Sequence, residues 1–156
     1  MSWRKPRADF VRDKGDANRA SLKALVDAGA EPGILAYDGD IPIGWCAVAP
    51  REAYVFLGRT RVLRRLDDAP VWSVSCLFVA KTHRNQGVSV GLLRAATQFV
   101  RTRGGKVVEG YPAEPKEHLP APFVWTGLLK AFLEAGFHEM PRWSPNRPIV
   151  RFDIPA

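Results

Sequence analysis

Six residues between a predicted strand and a predicted helix carry the clearest chemical signal in the sequence. The stretch Arg84-Asn-Gln-Gly87-Val-Ser89 is polar and basic and contains one glycine. Because the first amides of a helix lack intrahelical partners and carry the positive end of its dipole, such a turn can bind an anion. Gly87 would let the backbone approach a phosphate without a Cβ, and Arg84 would add a fixed charge. The alternative is a solvated turn that only joins two elements.

The elements on either side of this turn favour the anion-binding interpretation. Val71 to Val79 is an apolar run of strand length, rich in β-branched and aromatic residues. From Val88 the apolar residues change to helical spacing, which predicts an amphipathic helix that ends at Gly104-Gly105. The predicted apolar side of this helix contains Val88, Leu92, Leu93, Ala96, Phe99 and Val100.

The turn resembles the R-x-x-G-x-G/A signature of the GNAT superfamily of acyl-CoA-dependent N-acyltransferases. The resemblance implies that the turn holds the pyrophosphate of coenzyme A (CoA) and that the preceding strand contacts the pantetheine arm. The implied CoA-binding residues are Leu77, Phe78, Val79, Arg84, Asn85, Gln86, Gly87, Val88 and Ser89. Ser89 stands where the signature has glycine or alanine, but serine is also small and its hydroxyl could reach a phosphate.

Acid and base residues are less clearly marked, because two positions that the family often uses differ in this chain. The strand before the turn has Ser73, Ser75 and Cys76 but no glutamate. In the last helix, Phe132 stands where the family often has a tyrosine that serves as general acid. A phenyl ring cannot donate a proton, so the usual acid is absent at this position.

Glu109 and Tyr111 are the remaining catalytic candidates. They lie two residues apart in the predicted strand Lys106 to Tyr111, and therefore on one face of it. A carboxylate in so apolar a strand would suit a general base that removes a proton from the attacking amine. The alternatives are that Glu109 pairs with an arginine and that Tyr111 packs at the end of a strand. His118, in a proline-rich loop, is a third candidate.

Candidates for the acceptor site lie in two segments. Pro50 to Pro70 is the longest connection, and long connections often form binding loops, so Arg64 and Arg65 could contact an acidic acceptor. The alternative is a solvated insertion whose arginines pair with the local carboxylates Glu52, Asp67 and Asp68. Phe123 and Trp125 could form a wall of the acceptor pocket, although aromatic residues at helical spacing are more often part of a core.

The order of predicted elements indicates a mixed α/β fold in one domain that spans residues 1–156. After an irregular segment, 1–14, which could be an arm or an edge strand, come a helix from Asp16, a hairpin around Asp38-Gly39 and the strand–turn–helix unit. A further strand, a helix from Phe123 to Ala135 and a last hairpin follow. The resemblance implies a GNAT-like twisted mixed sheet of about six or seven strands with helices on both faces.

Composition limits the kinds of partner and compartment. The 156 residues include 23 Lys and Arg against 16 Asp and Glu, a net charge of +7 that suits a phosphate-bearing partner. Cys46 and Cys76 lie in apolar runs and have no metal-ligand spacing, so we expect buried thiols, no metal and a cytoplasmic protein. No apolar run approaches the ~18 residues of a membrane span, so we expect no membrane partner.

The resemblance therefore implies an acetyltransferase that moves the acetyl group of acetyl-CoA to an amine of a small molecule or peptide by direct attack. One alternative is a non-catalytic CoA-binding protein, which the missing glutamate and tyrosine favour. Another is a nucleic-acid-binding module suggested by the charge, but no basic recognition helix or RNA-binding strand signature supports it, and we expect no nucleic-acid partner. Edges left by the final hairpin could pair in a homodimer.

Overall fold

A six-stranded mixed sheet is the centre of the fold in this computed structural model, which describes residues 1–115 and 124–155. The strands are β1 Gly33–Asp38, β2 Ile41–Pro50, β3 Trp72–Val79, β4 Val107–Gly110, β5 His138–Glu139 and β6 Val150–Asp153. Their order is β1-β2-β3-β4-β6-β5, and only β3 and β4 are parallel. The predicted mixed α/β class and the predicted β3–helix–β4 crossover are confirmed.

Within the described residues, five α-helices flank the sheet. They are α1 Arg7–Arg12, α2 Asp16–Asp27, α3 Val55–Arg59, α4 Val88–Arg101 and α5 Leu129–Glu134. Helices α4 and α5 pack on one face, in a core with Val48, Val74 and Val108 of the sheet. On the other face, Leu57 of α3 packs in a second core with the buried residues Trp3 and Ile149. The sheet is therefore covered on both sides.

The apolar side of α4 explains its position. Leu92, Leu93, Ala96 and Val100 are buried, as the helical spacing predicts, whereas Val88 and Phe99 lie at the edge of the core. Burial of a leucine side chain contributes about 1.5–3 kcal/mol, so this side of α4 fixes the helix firmly on the sheet. The start of α4 is thereby held beside the end of β3.

Strands β3 and β4 pair over a short distance and then separate. The parallel pairing joins Trp72, Ser73 and Val74 to Val108, Glu109 and Gly110, and it stops there. Strand β3 continues to Val79 beside β2, with a bulge that places Ser75 and Cys76 opposite Ala47. The outer edge of β3 beyond Val74 is thus open to other groups.

The described part of the predicted Phe123–Ala135 helix is helical only from Leu129 to Glu134, so this prediction was wrong at its start. Gly127 has a φ of 89°, which a helix cannot accommodate. A Cβ at this glycine would lie 2.7 Å from Leu77 Cδ1 and 2.8 Å from Phe132 Cε2. Close packing of the backbone against these side chains therefore replaces the first part of the predicted helix.

The N-terminal region also differs from the prediction. The irregular arm or edge strand predicted for residues 1–14 is instead a turn followed by α1, and Trp3 is buried in the second core. Helix α2 lies at the surface, with Asn18 as its buried residue and Val26 exposed. In the parts of the chain that the structure describes, no helix is long and apolar enough to cross a membrane.

Candidate functional site

A cleft of about 700 Å³ opens where β3 separates from β4. The end of β3, the turn that follows it, the start of α4 and the segment Val124–Leu128 form its walls. Most of the predicted CoA-binding residues line it, namely Leu77, Phe78, Val79, Arg84, Asn85, Val88 and Ser89. Gln86 and Gly87 lie in the same turn but outside this lining. The structure thus brings the two halves of the predicted set together around one cleft.

The turn at the mouth of the cleft has two residues in the left-handed region. Asn85 has a φ of 59° and Gly87, which caps α4, has a φ of 79°. Gln86 Nε2 donates to the Thr82 carbonyl at 2.9 Å, and Arg84 Nε donates to the Val79 carbonyl at 3.1 Å. The space where a Cβ of Gly87 would lie is open within 4 Å. Hydrogen bonds to the preceding residues therefore hold the turn in place, and the open space beside Gly87 leaves room for an anion.

The outer edge of β3 presents backbone groups to the cleft at every second residue. The Leu77 amide donates to the Trp125 carbonyl at 2.8 Å, across the opening. Because backbone directions alternate along a strand, the amide and carbonyl of Val79 also face away from β2, and Arg84 reaches this carbonyl. Leu77 is therefore already bonded, whereas the Val79 amide points into the cleft.

The predicted catalytic pair lies in a buried network next to the cleft and does not line it. Glu109 is 1% exposed and Tyr111 is fully buried, and the Tyr111 hydroxyl donates to Glu109 Oε2 at 2.8 Å. Arg51 donates through Nη1 to Glu109 Oε2 at 3.3 Å and to the Tyr111 hydroxyl at 2.6 Å. The Ser73 hydroxyl lies 2.8 Å from the Tyr111 hydroxyl. The spacing placed Glu109 and Tyr111 on one face, and the structure puts them in direct contact.

A second arginine completes the network from β6. Arg151 Nε donates to Glu109 Oε1 at 2.8 Å, and the same guanidinium donates to Asp67 Oδ1 at 3.0 Å. This hydrogen bond to Arg151 holds the pKa of Asp67 below its usual range. Burial, and then the charge of Glu109, raises the pKa of Tyr111, which therefore stays protonated near neutral pH. Glu109 is thus clamped between two guanidinium groups.

The predicted acceptor residues lie in different places. Trp125 lines the cleft. Arg64 stacks on Trp143, with Cζ 3.8 Å from the ring centroid, and Arg65 pairs with Glu52. Both arginines lie outside the lining of the cleft. The Arg65–Glu52 pair fits the solvated-insertion alternative, while Asp67 pairs with Arg151 instead. Phe123 and His118 lie outside the described residues.

Three buried residues escaped the sequence analysis. Arg51 and Arg151 hold Glu109, and Tyr54 lines a smaller cavity on the opposite face of the sheet. No local pattern marks either arginine, because their partner is distant in sequence. The one available signal was the aromatic side chain of Tyr54, just before α3, and aromatic residues are common in cores.

Comparison with known proteins identifies the family. Residues 2–115 match the model of the acetyltransferase (GNAT) family, and the chain belongs to this family. A search of curated proteins found no match.

In the part of the chain that the structure describes, no group of three His, Cys, Asp or Glu side chains could hold a metal ion.

Solved structures agree with this fold. A GNAT-family protein from Desulfovibrio desulfuricans has a TM-score of 0.57 at 17% identity, over 93% of this chain and 88% of that chain. The PaiA N-acetyltransferase of Thermoplasma acidophilum in complex with coenzyme A has a TM-score of 0.58 at 10% identity, over 95% and 77%. The ribosomal-protein-alanine N-acetyltransferase of Brucella melitensis has a TM-score of 0.54 at 14% identity, over 89% and 78%. At these identities the likeness concerns the fold.

Proposed function

We propose that this GNAT-family protein is an N-acetyltransferase that moves the acetyl group of acetyl-CoA to an amine of a small molecule or peptide. The observation that carries the proposal is the cleft between the outer edge of β3 and the segment Val124–Leu128, with the basic turn around Gly87 at its mouth. A family match without such a cleft would give a fold but no place for the acyl donor.

The residues of the cleft fit CoA. The open side of Gly87 and the first amides of α4 suit a pyrophosphate, and Lys81 and Arg84 add positive charge on the same lining. The inward-facing amide of Val79 suits an amide carbonyl of pantetheine, because strand edges bind extended chains through backbone hydrogen bonds. In this proposal the turn from Arg84 to Ser89 holds the phosphates and Leu77–Val79 hold the arm. Acetyl-CoA supplies an activated thioester.

Direct transfer agrees with the state of the cysteines. Burial raises the pKa of both the Cys46 and the Cys76 thiols, so neither is a thiolate near neutral pH. An acyl-cysteine route would need that thiolate as nucleophile. We therefore propose that the acceptor amine attacks the thioester itself.

The acid and base roles predicted for Glu109 and Tyr111 remain a hypothesis with a competing one. Both side chains are saturated by Arg51, Arg151 and Ser73 and are closed off from the cleft. These contacts favour a positioning role, in which the network fixes β4 beside β3. Proton removal would then pass to water or be unnecessary for an acceptor that is already neutral.

A non-catalytic CoA-binding protein is the second candidate, and one observation favours it. Phe132, at the position where the family often has a tyrosine, is fully buried against Gly110 and Gly127. No proton donor is therefore supplied from this position. Thiol release from acetyl-CoA in the presence of an amine panel separates the two candidates, because a binding protein would release none above the background.

The first experiment is thermal unfolding with acetyl-CoA, with CoA and with sulfate as a control. A ligand at 100 times its Kd stabilises a protein by about 2.7 kcal/mol, which is several degrees for a domain of this size. We expect a shift with both nucleotides and little with sulfate. A folded protein that shows no shift with either would contradict a CoA site at this cleft.

A further inference from the structure

A second cavity, of about 170 Å³, lies on the face of the sheet opposite α4. Leu77 packs towards α4, so the next residue inward along β3, Cys76, faces the other way and lines this cavity. Phe10 of α1, Leu22 of α2 and Tyr54 close it from the outside. An engineered cavity of about 150 Å³ in another protein holds one benzene molecule, so there is room here for a single six-membered ring.

Trp125 lies between this cavity and the cleft. Trp125 lines both spaces, and its carbonyl accepts the hydrogen bond from the Leu77 amide. Two adjacent residues of β3 line the two spaces, since Cys76 lines the cavity and Leu77 lines the cleft. A molecule in the small cavity therefore lies next to the inner end of the proposed pantetheine path.

Two polar groups of the cavity lining have few or no protein partners, and the Arg4 guanidinium makes one long hydrogen bond, from Nη2 to the Pro32 carbonyl at 3.5 Å. The Tyr54 side chain is 2% exposed, and its hydroxyl has no hydrogen-bond partner among the described residues. Arg4 is the one charged side chain on the described lining, and its Cζ lies 4.8 Å from the centroid of the Tyr54 ring. Within residues 1–115 and 124–155, no carboxylate pairs with Arg4. The buried Tyr54 hydroxyl and the Arg4 guanidinium could thus donate hydrogen bonds to a ligand in the cavity.

The described part of the lining disfavours one class of amine. No aspartate, glutamate or histidine of the described chain lines the cavity. An alkylamine with a pKa of about 10.4, like that of lysine, is almost wholly protonated near pH 7 and needs a base before it can attack. Its charge would also face Arg4 without a counter-charge. An arylamine is neutral near pH 7, because its lone pair is delocalised into the ring, and it needs no such base.

We propose that this cavity binds the acceptor and that the acceptor is a one-ring arylamine that carries a carboxylate. The inference rests on the acyltransferase function proposed above and names its substrate class. The ring lies among Trp3, Trp45 and Trp125, while Arg4 and the Tyr54 hydroxyl bind the carboxylate. The arylamine nitrogen forms a bond to the acyl carbon as the carbon–sulfur bond breaks. The electron pair leaves on sulfur, and the proton lost by nitrogen protonates the thiolate through water.

A matched pair of probes tests the amine class. With acetyl-CoA and wild-type protein, thiol release is measured for 4-aminobenzoate and for 4-(aminomethyl)benzoate, which differ by the methylene that makes the second an alkylamine. We expect turnover of 4-aminobenzoate to be at least tenfold faster in kcat/KM. Faster turnover of the alkylamine, or turnover of neither probe, overturns the substrate class.

Thermal unfolding with acetyl-CoA alone separates this failure from failure of the proposed function. A shift with acetyl-CoA without turnover of either probe leaves the donor site in place and removes only the acceptor proposal. If acetyl-CoA gives no thermal shift, both the donor site and the acceptor proposal are contradicted.

Two variants test the polar contacts. Arg4→Gln should lower kcat/KM for 4-aminobenzoate by about tenfold or more and leave that for 4-aminobenzamide, which has no carboxylate, nearly unchanged. Tyr54→Phe keeps the ring, so this variant should fold normally. Its kcat/KM for 4-aminobenzoate should fall several-fold. The control is Arg12→Gln, because Arg12 is exposed and lies outside the cavity lining, so kcat/KM for both compounds should stay nearly unchanged. Equal effects of Arg4→Gln on both compounds would contradict carboxylate binding at Arg4.

Discussion

The Leu77 amide donates a hydrogen bond to the Trp125 carbonyl at 2.8 Å and closes the gap that opens between β3 and β4. The segment Val124–Leu128 therefore acts as a short substitute strand beside β3, and it is also tied to the far side through a hydrogen bond from the Ala113 amide to the Gly127 carbonyl at 2.8 Å. A ligand that enters from the Gly87 turn along β3 meets a barrier at Leu77. The cleft thus has a defined inner end.

This arrangement predicts which amides respond to CoA. We expect the Leu77 amide to be protected from hydrogen exchange with or without CoA, because its partner is part of the protein. The Val79 amide should gain protection only when CoA is present, since it faces the cleft. Amide exchange measured by NMR checks both. Loss of protection at Leu77 on CoA binding would mean that the arm displaces Trp125.

The buried position of Glu109 predicts a large cost for its substitution. Glu109→Gln leaves Arg51 and Arg151 buried without their shared counter-charge, and breaking such a pair costs about 3–5 kcal/mol. For a chain of this length we expect the unfolding temperature to fall by about 10 °C. The matched control is Glu52→Gln, which breaks the exposed pair with Arg65 and should change stability little.

Kinetics of the same variant decide between the two roles of Glu109. A positioning role lowers kcat without removing a limb of the pH–rate profile, whereas loss of a general base removes the limb on the acidic side. If the limb disappears in Glu109→Gln while the protein stays folded, Glu109 is the base.

Asp67 gives a prediction about pH. Its hydrogen bond to Arg151 lowers its pKa in the folded protein, so the folded state binds fewer protons than the unfolded state as the pH falls. The stabilisation from this pair is complete above the unfolded pKa, about 3.9, and is lost as the pH falls through the lower folded value. Asp67→Asn should therefore unfold at a lower temperature than wild type at pH 7, and the difference should shrink below about pH 4.

Thermal unfolding from pH 7 to pH 3 measures this difference. Asp68→Asn is the control, because Asp68 makes no ion pair in the described parts of the chain. A difference between Asp67→Asn and wild type that stays constant over this range would contradict the linkage to Arg151.

The strand–turn–helix unit could be predicted from the sequence because its signals are local. The apolar run before Val79, the glycine at position 87 and the helical spacing after it each arise from neighbouring residues. Their packing against one another follows from the same apolar faces. For this reason the prediction gave β3 and α4 almost to the residue.

The contacts of Glu109 could not be predicted in the same way. Arg51 lies 58 residues before it and Arg151 lies 42 residues after it, and the fold alone brings them together. The start of α5 was mispredicted for a similar reason. The apolar residues before it have helical spacing, but Gly127 packs against Leu77 and Phe132, which are remote or on another element. Long-range packing overrode the local pattern.

The last prediction concerns the anion site directly. In Gly87→Glu, a carboxylate would lie at the start of α4, on the side where we propose that the pyrophosphate binds. Two negative groups at one helix N-terminus repel each other, and the positive φ of 79° adds about 1–2 kcal/mol of backbone strain. We expect no thermal shift with CoA at concentrations that shift wild type by several degrees.

Gly104→Glu separates the charge effect from the strain, because Gly104 follows the other end of α4 with a φ of 74° and has the same open space at its Cβ position. Both variants should lose a similar amount of stability without ligand, since both force a side chain into the left-handed region. Only Gly87→Glu should lose the response to CoA. If Gly104→Glu lost it too, the effect would be one of folding, and if Gly87→Glu kept it, the phosphates would bind elsewhere than at the start of α4.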